Sequence, residues 1–441
     1  MIDAHIDHSR VSGRLGKNRD VSGPMTNLFS KLEISPRLVG MLAALVVIWT
    51  GFHVASDGSF LTPRNLWNLS VQTASIAVMA CGMVLIIVTR NIDLSVGSML
   101  GFIGMVIGIL QVHYLPAFWG IEHPATWAVV VLLAIACGAV IGLFQGSIIA
   151  YLGVPSFIVT LGGLLVWRGA AWWVTQGQTL APMDSRFKPI GGGIEGAIGA
   201  NLSWAIGILA CAIILFAAYR ARQRREAFGF HMRPLWSELV VAALLCGGVL
   251  GAVMVANAYP LPAGVARRLV EAAGATWPQG GVFIAHGLAI PVLIAVAVGV
   301  VITVLAKRMR FGRYVFAMGG NPEAAELSGV NTKRTLMLVY GLMGALVGVA
   351  ACISTARLNA ATNSAGTLDE LYVIAAAVIG GTSLAGGVGT IVGAMLGALI
   401  MQSLQSGMVL LGVDTPLQNI VVGLVLVTAV WLDTTYNRKV A

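Results

Sequence analysis

The chain has 441 residues, of which 57% are hydrophobic and only 10% charged, against about 25% charged in an ordinary soluble domain; a soluble enzyme is excluded. The net charge of +9 does not indicate a nucleic-acid binder either, because the basic residues are scattered between long apolar runs and not gathered on one water-facing surface. Membrane-crossing helices need about 20 apolar residues each, and roughly a dozen of them would absorb the hydrophobic fraction. The fold class this predicts is an all-α polytopic membrane protein with the lipid bilayer as its surroundings.

In chain order, a polar, Arg/Lys-bearing tail over 1–37 comes first. It lacks the early apolar core of a cleaved secretory signal and is expected to stay attached. Apolar runs then fall at 38–55, 68–89, 94–112, 127–152, 157–174, 202–219, 235–258, 284–306, 335–354, 371–383, 388–411 and 418–432. The tenth and twelfth are short for a hydrocarbon core about 30 Å thick, so a re-entrant or interfacial reading of each stays open and the count is about 10–12 transmembrane helices. The transmembrane domain is thus expected over 38–432, with a cytoplasmic C-terminus over 433–441.

With the tail placed in the cytoplasm, 20 of the 27 Lys and Arg fall inside and six outside, while Arg168 falls within a span. That asymmetry sets the orientation, with both termini cytoplasmic. The richest inside loops carry Arg220, Arg222, Arg224, Arg225 and Arg233 in one, and Lys307, Arg308, Arg310, Arg313, Lys333 and Arg334 in the other. Trp119, Trp127, Trp172, Trp173, Trp204, Trp236 and Trp431 lie near span ends, where amphipathic indoles sit at the headgroups or pack in the core.

Small residues recur within spans. Gly389, Gly393 and Gly397 form two overlapping GxxxG patterns, which serve close helix packing or a hinge. The stretch 93–104 loosely echoes 383–394, each opening a span, as in a transporter repeat or by shared glycine content. The five cysteines each sit in an apolar run without CxxC spacing, which supports neither a disulfide framework nor zinc.

Chemistry is sparse. There is no GxxxxGK[ST], HExxH or GxSxG, so no catalytic residue, metal site or cofactor is assigned to this chain. Asp93, Glu238, Asp369 and Glu370 lie near span boundaries; an ion-coupled carrier would place carboxylates in mid-span, and energy is therefore expected from another subunit. Arg168 either lines a polar path, snorkels outward, or binds backbone carbonyls. The polar residues near spans are mostly uncharged: Gln72, Thr73, Asn91, Ser95, Thr160, Thr367, Thr382, Ser383, Gln402 and Gln405, with Asp93 and Glu370 at the edges. Amides and hydroxyls match the hydroxyls of a neutral sugar without burying charge, although each alone also serves as an interhelical hydrogen bond. In the loop 307–334, Asn321 can cap a helix, Pro322 suits its first position, Glu323 favours its positive end and Gly329 can stop it. A short rigid helix of that kind suits a partner's groove.

Four stretches, 91–98, 154–161, 319–329 and 374–389, resemble the membrane permease subunits of bacterial sugar ABC importers of the ribose/xylose type, and the likeness runs from about Leu38 to the C-terminus. The segment 57–68 and the extra material before residue 284 favour the xylose branch, with ribose, another monosaccharide or a nucleoside as alternatives and an ion-coupled secondary transporter as the competing class. The resemblance implies an ABC importer permease fold in the bacterial inner membrane and a second permease copy. It also implies a periplasmic sugar-binding protein and a cytoplasmic ATPase subunit that carries the ATP and Mg. The polar side chains near spans put Gln72, Asn91, Asp93, Ser95, Thr160, Thr367, Glu370, Thr382 and Ser383 as candidates on the substrate pathway; the resemblance implies that Glu323, Ala324, Ala325 and Gly329 belong to the ATPase-coupling segment, to which the basic run and the cap add Arg313 and Asn321. This chain departs from the family pattern at Tyr372, where an acidic residue is frequent, at Glu326, where a basic one is, and at Asn363, where a proline is.

Overall fold

The computed structural model describes residues 36–440 except 231 and 233; the polar tail over 1–35, Arg233 of the basic cluster and Ala441 lie outside the described residues. The helices in order are α1 (Pro36–Ala55), α2 (Pro63–Val88), α3 (Val96–Ile109), α4 (Leu115–Trp119), α5 (Thr126–Leu152), α6 (Ser156–Thr175), α7 (Gly199–Ala227) and α8 (Leu235–Asn257). They continue with α9 (Ala263–Ala272), α10 (Ile290–Arg308), α11 (Arg310–Gly320), α12 (Pro322–Leu327), α13 (Thr332–Leu358), α14 (Asp369–Ile379), α15 (Ile391–Leu410) and α16 (Thr415–Val440). Among the described residues there is no sheet, only isolated β-bridges.

Ten helical stretches among the described residues are long and apolar enough to cross a membrane. The two runs too short by sequence become α14, of 11 residues, and α16, whose apolar part is Thr415–Trp431. The protein is a multi-pass membrane protein. Alternation through these helices puts the connections 89–95, 153–155, 228–234, 309–331 and 380–390 on one face, which also carries the two Arg/Lys clusters and is called the basic face here.

Helix α2 is the centre. In its apolar window 89% of residues are buried, against 6% for α1, 11% for α7 and 17% for α8. It packs against α10, α13, α14 and α15. Lipid competes for every apolar contact, so helices associate through close backbone approach at small residues. The tightest pair, α5 with α13, shows this. Gly138 lies against the Gly344 carbonyl, Gly142 against that of Tyr340 and Gly348 against that of Ala134, with no room for a Cβ at any of them. Gly393 and Gly397 do the same work against Gly380 and Ala376, which selects packing for that GxxxG run.

Three expectations need correction. The Arg-rich stretch at 220–225 is not a loop but the last turns of α7, because its alanines and arginines are strong helix formers. The run 94–112 continues through a π-helical turn, Leu110–Tyr114, into α4. The segment 310–320 is helical despite three glycines, since Val315 and Met318 bury one face and leave Arg313 exposed. The tryptophans near span ends are outward-facing in most cases, with Trp172, Trp173, Trp204, Trp236 and Trp431 all at least 40% exposed.

On the face opposite the basic one, the connection 258–289 is latched to α2. His286, 3% exposed, has Nε2 2.8 Å from the Gly193 carbonyl, stacks on Tyr259 and meets Trp67 edge-on, while Trp67 Nε1 donates to the Gly287 carbonyl at 2.9 Å. Nδ1 has no partner, which puts the proton on Nε2. Burial pushes the imidazole below its ordinary value of 6.5. Its folded value is depressed, so the latch contributes fully above pH 6.5 and weakens as pH falls below it. The thermal midpoint of the purified protein should therefore drop on acidification below that pH, and His286→Gln should flatten the dependence. In the bundle, Gly344→Leu should lower stability by about 2 kcal/mol or more through overpacking, read as a fall in the same midpoint, whereas Gly251→Leu, which meets open space, should leave it unchanged.

Candidate functional site

Two helices begin inside the fold and not at its surface. After α2 ends, the chain over 89–95 re-enters: the Ile92 carbonyl lies 3.4 Å from Tyr340 Oη and 3.4 Å from Thr160 Oγ1. Tyr340 is eight residues into α13 and Thr160 four into α6, so α3 starts about 6–12 Å below the basic face at 1.5 Å per residue. From the other side, the chain over 359–368 runs down along α3. Ala361 sits at Gly108, the Ala365 carbonyl at Gly101 and the Gly366 carbonyl at Gly97. Helix α14 starts only there, after Leu368 in a left-handed conformation. Irregular backbone at this depth is stable only when protein groups satisfy it. Arg168 is one of those groups: its Nη1 donates to the carbonyls of Asn363 at 2.8 Å and Ala365 at 2.9 Å. Of the readings open for Arg168, the carbonyl partner is the observed one.

The two breaks meet at Gly97. A Cβ there would collide with both the Gly366 carbonyl and Glu370 Oε2, and Gly366 itself has φ +69°, so glycine is needed on both sides of the contact. Asp93 is 1% exposed and Glu370 6%. Both lie near span boundaries in sequence, yet the re-entrant geometry buries them deep, which corrects the expectation that carboxylates are missing from the interior. Neither has a Lys or Arg within ion-pair distance among the described residues. Asp93 Oδ1 accepts from the Ser95 backbone N–H at 2.8 Å and from Ser95 Oγ at 2.6 Å. Ser95 Oγ is also 3.1 Å from the Gln145 side-chain amide. A hydroxyl has one proton, so Ser95 Oγ donates to Asp93 Oδ1 or to Gln145 Oε1 and not to both at once, and Gln145 Nε2 is buried without a partner.

Toward the face opposite the basic one lies a polar cavity of about 700 Å³, within the roughly 300–1,000 Å³ of small-molecule sites. Asn65, Asn68, Gln72 and Ser75 of α2 line one wall, Gln402, Gln405 and Ser406 of α15 another, and Thr362, Ser364 and Thr367 of the descending segment the floor. Gln402 Nε2 is 3.3 Å from Gln72 Oε1 and 2.9 Å from Gln405 Oε1, a chain of amides across the cavity wall. Among the described residues, Arg357 and Asp369 are its charged lining residues.

The pathway candidates thus divide. Gln72 and Thr367 line the cavity; Asp93, Ser95, Thr160 and Glu370 belong to the buried knot beneath it, while Asn91 is half-buried in the turn after α2, its amide donating to the Thr89 carbonyl at 2.8 Å. Thr382 and Ser383 sit apart, in the turn 380–390 on the basic face, where the Gly387 N–H donates to the Val88 carbonyl at 3.0 Å. Sequence reasoning missed Asn65, Asn68, Gln145 and Tyr340; the amides at i and i+3 on α2, followed by Gln72, were an available signal for the first two.

On the basic face, α12 has the anticipated form. Asn321 caps it by accepting from the Ala324 N–H at 3.0 Å, Pro322 opens it, Glu323 lies in its first turn and Gly329 ends it at φ +85°. Ala325 is buried, Ala324 and Arg313 are exposed, and Leu327 is 91% exposed. Arg90 ties this corner to the core, donating to the carbonyls of Gly319 at 2.9 Å and Gly320 at 2.7 Å.

Residues 65–430 match the family described as branched-chain amino acid transport system / permease component. The chain belongs to that family and is a non-catalytic permease component of a transport system. It is similar to the Xylose transport system permease protein XylH of Haemophilus influenzae, 36% identical over 93% of this chain and 100% of the relative. It is also similar to the protein of that name in Escherichia coli K12, 37% identical over 94% of this chain and 96% of the relative. The Ribose import permease protein RbsC of Escherichia coli K12 is 33% identical over 91% of this chain and 93% of the relative. No solved structure matches the chain.

Gly97→Val should drive the Gly366 segment and Glu370 apart, lowering transport about tenfold or more at an overpacking cost of about 1–3 kcal/mol. Ser98→Ala, which removes a buried hydroxyl without a partner, should transport normally. Radiolabelled uptake normalised to inserted protein separates the two.

Proposed function

We propose that this chain is the membrane permease subunit of an ATP-driven importer of a small neutral sugar, with D-xylose as cargo. The observation that carries the reading is the cavity lined by Asn65, Asn68, Gln72, Gln402 and Gln405 at the mouth of a broken helix. Neutral amides and hydroxyls, which match sugar hydroxyls, outnumber the one oppositely charged pair, Arg357 and Asp369, in that lining, and relatives of nearly full coverage are named as xylose permeases. The carboxylates Asp93 and Glu370 no longer argue against an ion-coupled carrier by their absence; membership of a transport-system permease family argues against it instead.

In this reading the chain lies in the bacterial inner membrane with the basic face and both termini in the cytoplasm, and two copies form the channel. A periplasmic binding protein delivers sugar to the cavity. A cytoplasmic ATPase grips the loop 307–334, with α12 and its exposed Leu327 as the docking element and Arg313, Asn321, Glu323, Ala324, Ala325 and Gly329 as the coupling residues. Arg90 joins that element to the end of α2 and so to the cavity wall.

The test is reconstitution with the ATPase and binding protein encoded alongside. Receptor-stimulated ATP hydrolysis and uptake across a panel of pentoses and hexoses should be greatest for xylose; a maximum for ribose would reassign the cargo, and uptake by the isolated chain under a proton or sodium gradient would refute the reading. Glu323→Arg with Gly329→Pro should leave the protein inserted and the ATPase running but abolish uptake.

A further inference from the structure

Two charged side chains line the cavity between α2 and α15 without pairing to the protein. Arg357 lies in the last turn of α13 and Asp369 is the first residue of α14, so the descending segment 359–368 separates them in sequence. Among the described residues neither side chain makes a hydrogen bond, and neither has an opposite charge within ion-pair distance. They still act on one another electrostatically, with Arg168 and Glu370 as the further charges around Asp369. Their backbones, by contrast, are fixed. Gly191 lies against the backbone of Arg357 with no room for a Cβ, and Asn359, two residues on, accepts from the Met183 N–H at 3.0 Å. The Asp369 N–H donates to the Gly366 carbonyl at 3.3 Å, and Gly366 is itself held against Gly97.

One cavity is thus offered a guanidinium that only donates and a carboxylate that only accepts. A hydroxyl can accept from the first and donate to the second, and adjacent hydroxyls of one ligand can serve both at once. An anionic ligand would meet Asp369 and a cationic one Arg357, so charge of either sign is disfavoured in a lining that is neutral in sum. Building on the importer reading, we propose that Arg357 and Asp369 determine the specificity of this cavity, holding neighbouring hydroxyls of a neutral polyol while the amides of α2 and α15 take the rest. The competing role is local: an arginine at the C-terminal end of α13 and an aspartate at the N-terminal end of α14 each complement a helix dipole. Arg357 also lines a neighbouring cavity of about 620 Å³, with Lys188, Glu195 and Arg268.

Saturation-transfer difference NMR on the purified full chain in detergent separates the two roles, with D-xylose, anionic D-xylonate and protonated 2-amino-2-deoxy-D-xylose as probes. The wild type should bind D-xylose and neither ion. Asp369→Asn and Arg357→Gln should each weaken D-xylose binding about tenfold, the loss expected of a hydrogen bond to a charged group. They should also shift selectivity in opposite directions, Asp369→Asn admitting xylonate and Arg357→Gln the amino sugar. Arg268→Gln, in the neighbouring cavity, should bind D-xylose as the wild type does. Loss of D-xylose binding without any gain for the charged probes, or a lower thermal midpoint with binding unchanged, would leave the two residues as helix-end charges and overturn the inference. Should a variant fail to fold, the wild type decides: either ion bound as tightly as D-xylose overturns it, and so does an absence of D-xylose binding by a chain that still supports uptake. D-xylose bound equally by the wild type and both variants would sink this inference and leave the importer reading intact, whereas failure of that reading shows as absent sugar uptake in the reconstituted system.

Discussion

A bilayer interior offers no water to an unpaired peptide group, so any break in a membrane helix has to be repaired by the protein itself. The candidate cavity and the buried knot beneath it follow from two such repairs. The chain over 89–95 and the chain over 359–368 enter from opposite faces and meet where Gly97 and Gly366 have no side chains to keep them apart. Arg168, an expensive residue in hydrocarbon, is retained because its guanidinium supplies donors to two carbonyls that have left the helical ladder. The polar cavity exists because α14 starts late: the eleven residues it has leave space above it, and the amides of α2 and α15 face that space.

Much of this was legible in the residues. Span number, the two short runs and the capped helix at Asn321–Gly329 all follow from length, hydropathy and cap chemistry, which act locally; for Arg168 the carbonyl partner was one of three readings left open, since the carbonyls it meets are distant in sequence. What was not legible depends on depth. Asp93 and Glu370 flank apolar runs, and hydropathy alone sets such residues at the membrane surface. They are buried because two loops fold inward, a fact carried by glycines 97 and 366, whose spacing in sequence gives no hint that they touch. Gln145 and Tyr340 were missed for a related reason, since a single polar group in a long apolar helix reads as an ordinary interhelical bond until its partner is known. Helix α11 was missed because three glycines in eleven residues argue against a helix, and tertiary burial of Val315 and Met318 outweighs them.

The bundle has a graded construction. Its centre is assembled by backbone contact between small residues, as between α5 and α13, where geometry tolerates almost no substitution. Its margin, α1 and the α7–α8 hairpin, is bulky and apolar outward, with few contacts to the rest of the chain. The polar functions sit between these zones, on helices fixed by the centre and on loops open to one face.

Helix α2 carries an implication for motion. Six neighbours enclose it, α8, α10, α11, α13, α14 and α15, and a rod sheathed on every side can neither slide nor spin without stripping most of its contacts at once. Its place in the bundle is that of an axle. In the proposed transport cycle the rearrangement therefore falls to the less-wrapped elements around it, α1 and the α7–α8 hairpin, which have the fewest contacts to give up.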